Sequence, residues 1–125
     1  YYMKNTVIMF TMSLLLLSCN KENNTVKLNK GFKMNYNQTV NIKSESLIIQ
    51  LVDIGDSRCP DGVQCVWEGE GLLLLNVNNS EFQVSTLEPS DTLGYTFTIT
   101  DLSPYPNIDS NLTKEDYKVE LVVTK

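Results

Sequence analysis

The residue types best suited to chemistry are concentrated in one stretch, DSRCPDGVQCVWEGEG, which runs from Asp56 to Gly71. This stretch holds two of the three cysteines and the only Trp and Arg of the chain. Thiols permit redox chemistry or metal binding, carboxylates permit acid–base catalysis or calcium binding, and an exposed Trp permits stacking on a sugar. The chain has no His, which removes His-activated nucleophiles and His-ligated metals. No cofactor is therefore predicted.

Three carboxylates of the same region offer oxygen ligands of the kind that calcium prefers. Asp53, Asp56 and Asp61 lie close together in sequence, but their spacing differs from that of an EF-hand loop. Arg58 stands between them as a competing cation. The favoured interpretation is that Arg58 pairs with Asp56 or another acid and holds the loop, while Asp61 serves a turn. A calcium site at these three residues is the alternative.

The N-terminal residues indicate export. Tyr1 and Tyr2 precede Met3, Lys4 supplies a basic start, and residues 7–17 form a mostly apolar run. That run is shorter than the roughly 20 residues of a membrane-spanning helix, and it is typical of the apolar region of a signal peptide.

The run ends in Leu-Leu-Ser-Cys, which resembles the lipobox of bacterial lipoproteins. The resemblance implies that residues 1–18 are removed and that Cys19 is acylated, which anchors the protein to the cell envelope, with the outer membrane expected. An ordinary cleaved signal peptide is the alternative. Residues 19–25 then form a polar tether, and residues 26–125 form a single domain. The net charge of −5 argues against binding to nucleic acid and against polybasic attachment to anionic lipid.

Lipidation of Cys19 leaves Cys59 and Cys65 as a pair. In an oxidising compartment such a pair usually closes, and Pro60-Asp61-Gly62 between the two cysteines favours a turn. Five intervening residues differ from the redox spacing C-x-x-C, and two thiols without His cannot supply a common zinc site. The prediction is a structural disulfide, with redox or metal-binding thiols, or two free thiols, as the alternatives.

Alternation of apolar and polar residues predicts an all-β domain. The pattern has period two in the segments 40–42, 47–52, 82–84, 95–99 and 119–123, with turn residues between them. About seven short strands of this kind predict an antiparallel β-sandwich, Ig-like, or a small barrel. Leu72 to Leu75 is apolar on both faces and predicts a covered central strand, and residues 111–116 predict a short helical turn.

The favoured interpretation of Trp67 places it in the core. Val63, Cys65 and Trp67 alternate as one strand face would, and a Trp packed near a disulfide is common in sandwich cores. An exposed stacking platform is the alternative. Gly69 and Gly71 indicate a bulge or a close approach of two backbone segments.

Together with FTITDLSPYP and YKVELVV, the Asp56–Gly71 stretch resembles a group of small exported bacterial proteins, many of them lipoproteins. The resemblance extends from Leu47 to Val123, and only the segment from Asp56 to Glu70 is specific. It implies export, the β-fold and the disulfide. It implies no reaction.

These observations predict a non-enzymatic, membrane-anchored binding module of the cell envelope, with a protein or a glycan as partner. The candidate binding loop carries Asp53, Asp56, Arg58, Asp61 and Trp67, because loops on a rigid scaffold usually carry binding. One alternative is an inhibitor of an envelope-acting hydrolase, such as a protease or lysozyme. Another is a small glycoside hydrolase using the carboxylates of Glu68 and Glu70.

Overall fold

The computed structural model describes residues 24–125, which form eight strands. The strands are β1 (Phe32–Asn35), β2 (Thr39–Ile42), β3 (Leu47–Asp56), β4 (Gly71–Val77), β5 (Ser80–Ser85), β6 (Ser90–Thr92), β7 (Tyr95–Ser103) and β8 (Lys118–Thr124). Two single-turn 3-10 helices cover Lys43–Glu45 and Lys114–Asp116, and the second confirms the helical turn predicted for residues 111–116.

The strands form two antiparallel sheets of four strands each. Sheet A has the order β2-β3-β4-β5, and sheet B has the order β1-β8-β7-β6. The sheets pack face to face without closing into a barrel, so the sandwich prediction is confirmed and the barrel alternative is wrong. Each of the long strands β3 and β7 contains one irregularity in its register, at Val52 and at Thr100.

The core consists of the inward side chains of both sheets. Alternation predicts most of them correctly: Leu47, Ile49 and Leu51 are buried on β3, as are three residues of β8. The largest completely buried side chain is Phe97, which packs against Phe82 of the facing sheet with ring centroids 4.9 Å apart. Burial of these apolar surfaces is the main force that holds the two sheets together.

The two ends of the sandwich differ in what they carry. The proximal end is defined here by residues 24–30, 43–46, 78–79, 93–94 and 125. The chain joins the sandwich at this end, where Thr25 pairs with Asn41. The distal end is defined by residues 57–70, 86–89 and 104–117. The ten residues of β3 lead from one end to the other, a span of about 30 Å at about 3.3 Å per residue.

Two local features of the structure differ from the pattern of the sequence. The residues from Val63 to Trp67 form no strand and lie in the loop between β3 and β4. In β4 only Leu73 and Leu75 of the four leucines are buried, while Leu72 and Leu74 are partly exposed on the outer face, so the prediction that both faces are covered is wrong.

The predicted signal peptide and Cys19, the predicted site of lipidation, lie outside the described residues. Within residues 24–125, no helix is long and apolar enough to cross a membrane.

Candidate functional site

The loop between β3 and β4, residues 57–70, continues the β-hairpin beyond the sheet; we call it the staple loop. Its two arms are joined by backbone hydrogen bonds from Ser57 N to Glu70 O and from Cys59 N to Glu68 O, both 2.8 Å. The disulfide between Cys59 and Cys65, with an S–S distance of 2.06 Å, closes the tip. The predicted structural disulfide is therefore confirmed.

Gly69 permits the two arms to approach each other. Its φ is +70°, and a Cβ atom placed on it would lie 1.9 Å from the carbonyl oxygen of Ser57. No side chain fits in that space, so the close backbone approach expected at this glycine is confirmed.

An ion pair fixes the base of the staple loop. The Arg58 guanidinium donates hydrogen bonds to both carboxylate oxygens of Asp56, at 2.8 and 2.9 Å. The side chains of Arg58 and Asp56 are only 12% and 7% exposed. Bidentate, partly buried pairs of this kind are stronger than exposed ones. The pairing predicted for Arg58 is confirmed.

The same guanidinium joins the staple loop to sheet B. Arg58 Nη1 donates to the carbonyl of Leu102 at 2.8 Å, and Nη2 donates to the carbonyl of Pro104 at 3.1 Å. The guanidinium also lies 4.7 Å from the ring centroid of Tyr105, whose hydroxyl donates to the carbonyl of Cys59 at 2.8 Å. One side chain thus connects the two sheets at the distal end.

Tyr117 completes this network from the start of β8. Its hydroxyl donates to Asp56 Oδ2 at 2.8 Å. Burial and the hydrogen bond to Asp56 raise the pKa of Tyr117 to about 12. Burial acts to raise the pKa of Asp56 as well, but the hydrogen bonds from Arg58 and Tyr117 outweigh it and hold that pKa below its usual value. The carboxylate therefore stays ionised as the acceptor of the network.

A second contact holds the tip of the staple loop against the loop between β7 and β8. Asp61 N donates to the carbonyl of Pro106, and Ile108 N donates to the carbonyl of Asp61, each at 3.0 Å. The methyl group of Ile108 packs beside Gly62. The tip is thus held by the disulfide and by its neighbour, so the loop has few conformations left to lose on binding.

The three acids of the predicted calcium site have separate roles. Asp53 pairs with Lys114, Asp56 belongs to the network with Arg58, and Asp61 is exposed in the turn. Within residues 24–125, no three acidic or thiol side chains come together as metal ligands would. The geometry does not support the calcium alternative.

Trp67 is 61% exposed, so its expected place in the core is wrong. The reason is that the hairpin continues past the end of the sandwich, where no facing sheet covers it. Val66 is fully exposed beside it, and Val63 and Ile108 are 41% and 63% exposed. We call these four side chains the apolar tip. Exposed apolar clusters of this kind commonly mark interaction sites.

Acidic side chains predominate at the distal end, which also carries the apolar tip. The distal segments contain seven acidic residues and two basic ones. The two bases, Arg58 and Lys114, are paired with Asp56 and Asp53 of β3, so they do not neutralise the seven. Six of the acids are exposed without a salt bridge among the described residues: Asp61, Glu68, Glu88, Asp109, Glu115 and Asp116.

Four residues of the distal end contribute to this site although the sequence did not predict that they would. Tyr105, Ile108, Lys114 and Tyr117 lie far beyond the staple loop in the chain, and only three-dimensional pairing of the sheets brings them to it. The LSPYP segment, which contains Tyr105, carries the available signal, because Pro is common in turns but an aromatic residue between two strands is not.

The two carboxylates proposed for a glycoside hydrolase have different surroundings. Glu68 is exposed, and Glu70 accepts a hydrogen bond from Ser85 at 2.5 Å. Cavities of about 380 and 310 Å³ lie elsewhere, on the outer face of sheet A and beside the β6–β7 turn.

Comparison of the chain with protein-family models, with curated proteins and with solved structures finds no match.

Proposed function

We propose that this protein is a non-enzymatic binding module, anchored to the bacterial cell envelope through lipid on Cys19, and that it contacts a protein partner through the apolar tip. The observation that carries the proposal is a group of four exposed apolar side chains: Trp67, Val63 and Val66 on the staple loop and Ile108 on the adjoining β7–β8 loop. The staple loop is held rigid by a disulfide and by contacts to the other sheet and to the β7–β8 loop. Aromatic anchors on preorganised surfaces dominate the energy of many interfaces.

The position of the tip supports this function. The chain joins the sandwich at the proximal end, and the apolar tip lies at the distal end, about 30 Å away along β3. A protein anchored through residues N-terminal to Asn24 can therefore present its tip away from the membrane. The excess of acids at the distal end favours a partner surface with positive charge, because complementary charge speeds association and rejects other partners.

Site-specific photo-crosslinking in the source cells tests the proposal. A photoreactive amino acid replaces Trp67 in one strain and Leu93, an exposed residue at the proximal end, in the control strain. We expect a discrete protein adduct from position 67 and a different pattern or no adduct from position 93. The same adducts from both positions, or none from position 67, would contradict a partner-binding tip.

The anchor is tested separately. Labelled palmitate supplied to the cells is expected to enter the wild-type protein and not the Cys19→Ser variant. A wild-type protein without label would contradict lipidation, whatever the crosslinking shows.

A second candidate function is inhibition of an envelope-acting hydrolase. It is favoured by the rigid protruding hairpin, since such a loop can enter a cleft without a large ordering cost. The test uses the purified chain from Cys19 onward against a c-type lysozyme and a trypsin-like protease. Inhibition that the Trp67→Ala variant loses and the Leu93→Ala variant retains would support this function. Undiminished activity of both enzymes would count against it.

A further inference from the structure

Basic residues gather at the proximal end, although the chain as a whole is acidic. The proximal segments contain four lysines and one acid, Glu45. Two further exposed acids near this end, Glu81 and Asp91, lie on β5 and β6, which form the opposite edge of the sandwich from β1 and β2. Lys125 pairs with Glu45 at 3.2 Å, which leaves three lysines exposed and without a salt bridge among the described residues: Lys27, Lys30 and Lys43.

The contacts of the backbone bring these three lysines to one place. Val26 N donates to the carbonyl of Asn41, which places Lys27 beside the end of β2, close to Lys43. Asn29 N donates to the carbonyl of Val123 near the end of β8, which places Lys30 at the same end of the sandwich. The three ammonium groups therefore belong to one end face, around the point where the chain enters the domain.

We propose that this basic proximal face seats on the anionic phospholipid headgroups of the membrane that holds the anchor. The inference rests on the proposed lipid anchor at Cys19. Asn24 follows Cys19 by five positions, a reach of at most about 18 Å for a fully extended chain. The anchor therefore keeps this face near the bilayer, where each lysine within about a Debye length of an anionic surface favours contact.

Because the two ends of the sandwich carry opposite charge, an anionic membrane favours one orientation of the domain. An anionic surface attracts the lysines of the proximal face and repels the six acids of the distal end that form no salt bridge within residues 24–125. Both effects turn the tip away from the membrane. Uniform charge would leave a domain on a short tether free to lie on its side. The acidic composition of the chain, which argued against electrostatic attachment to lipid, does not describe this end of the molecule.

The test couples the chain from Cys19 onward to a maleimide lipid through Cys19, since the other two cysteines form the disulfide. Trp67 is replaced by Phe, and Ile48, which is 55% exposed on the outer face of sheet A near the proximal end, is replaced by Trp. Energy transfer from this proximal Trp to a dansyl headgroup acceptor reports how close the face lies to the bilayer.

Two double variants in this background have the same net charge and differ only in the position of the changes. Lys27→Glu with Lys43→Glu alters the proximal face. Lys33→Glu with Lys118→Glu alters exposed lysines on β1 and at the distal start of β8, and serves as the control. All four side chains are exposed, but Lys33→Glu places a carboxylate opposite Glu120 of β8. The unfolding midpoint of each double variant is therefore measured first, and energy transfer is compared at a temperature where both variants are folded.

The protein with all its proximal lysines is expected to show more energy transfer from the proximal Trp in vesicles containing phosphatidylglycerol than in vesicles of phosphatidylcholine. The proximal double variant is expected to lower the seated population roughly tenfold or more relative to the control, since each lysine contributes about fivefold. The difference should vanish at about 1 M salt, where the Debye length is about 3 Å. Equal transfer from both double variants in phosphatidylglycerol would overturn the inference.

The lipid is attached chemically, so the result of the energy-transfer measurement does not depend on natural lipidation. Failure of palmitate labelling would contradict the proposed lipid anchor alone. Equal transfer from the two double variants would contradict only the proposed contact between the basic proximal face and anionic headgroups.

Discussion

The hydroxyl of Tyr117 donates a hydrogen bond of 2.8 Å to Asp56, and this contact joins the start of β8 in sheet B to the end of β3 in sheet A. Asp56 also accepts two hydrogen bonds from the guanidinium of Arg58. The carboxylate is therefore the point at which both sheets and the staple loop meet. A residue that sequence inspection marks as a possible ligand is instead the central acceptor of a structural network.

Tyr117→Phe is expected to lower the free energy of unfolding by about 1.5 to 3 kcal/mol, because it removes a hydrogen bond to a charged and largely buried acceptor. Urea unfolding at neutral pH measures this loss. Tyr95→Phe is the matched control, since Tyr95 donates to Glu45 at 2.7 Å in a more exposed setting. Its effect is expected to be smaller, and equal losses from the two variants would contradict a special role for the distal network.

Stability is expected to fall at alkaline pH through the ionisation of Tyr117. The pKa of Tyr117 is about 12 in the folded protein, compared with the ordinary tyrosine value of 10.0, which applies to the unfolded chain. The folded state therefore holds this proton more tightly. The stabilisation is fully present below pH 10 and is lost as the pH rises from 10 toward 12. The loss is at most on the order of 3 kcal/mol, since the pKa difference of about two units corresponds to about 1.4 kcal/mol per unit.

The check is the difference in unfolding free energy between the wild type and Tyr117→Phe as a function of pH. That difference should be constant below about pH 10 and should shrink above it. A difference that stays constant over the whole alkaline range would show that the phenol ionises equally in both states.

The sandwich could be predicted from the sequence because alternation records which side chains share one side of a strand. Leu47, Ile49 and Leu51 lie on the same face of β3 whatever strand is opposite, and their apolar character marks that face for burial. The same rule failed at Trp67, because alternation does not report whether another sheet covers the shared face. Covering is a property of the assembled fold.

The network at the distal end could be predicted only in part. The pairing of Arg58 with Asp56 is local and follows from two residues of opposite charge in one loop. The contacts of these two residues with Leu102, Pro104 and Tyr117 join distant parts of the chain, and their register depends on the irregularity in β7. No periodic pattern in one sequence specifies such a pairing.

Gly69→Ala is expected to destabilise the protein by roughly 2 kcal/mol or more, because the new methyl group would overlap the carbonyl of Ser57 and the residue has a positive φ. Gly94→Ala is the control. Gly94 has a φ of +79° with no atom within 4 Å of the added Cβ, so it reports the backbone strain alone, about 1 kcal/mol. Thermal unfolding of both variants measures the difference, and equal costs would contradict the close approach in the staple loop.

Trp67→Ala is expected to change the free energy of unfolding by no more than about 0.5 kcal/mol, because the side chain is largely exposed. Phe97→Ala, at a completely buried position, is expected to cost about 3 to 5 kcal/mol. In the folded wild type, acrylamide should quench Trp67 fluorescence nearly as well as in the unfolded chain. Strong protection of the fluorescence from quenching would contradict the exposure of Trp67 and would indicate that the side chain is buried.

Replacing both Cys59 and Cys65 by Ser is expected to lower the free energy of unfolding by about 2.4 kcal/mol, the chain-entropy value for a closed loop of about seven residues. The effect on the tip should be larger than this global loss, because the disulfide lies at the end of the hairpin, beyond the last backbone pair at Cys59 and Glu68. Amide exchange of Val63 and Val66 should therefore accelerate more than exchange in β4, and crosslinking from position 67 should fall more than the loss of folded protein explains. Equal acceleration in the tip and in β4, or unchanged crosslinking, would show that the backbone contacts of Asp61 hold the tip without the disulfide.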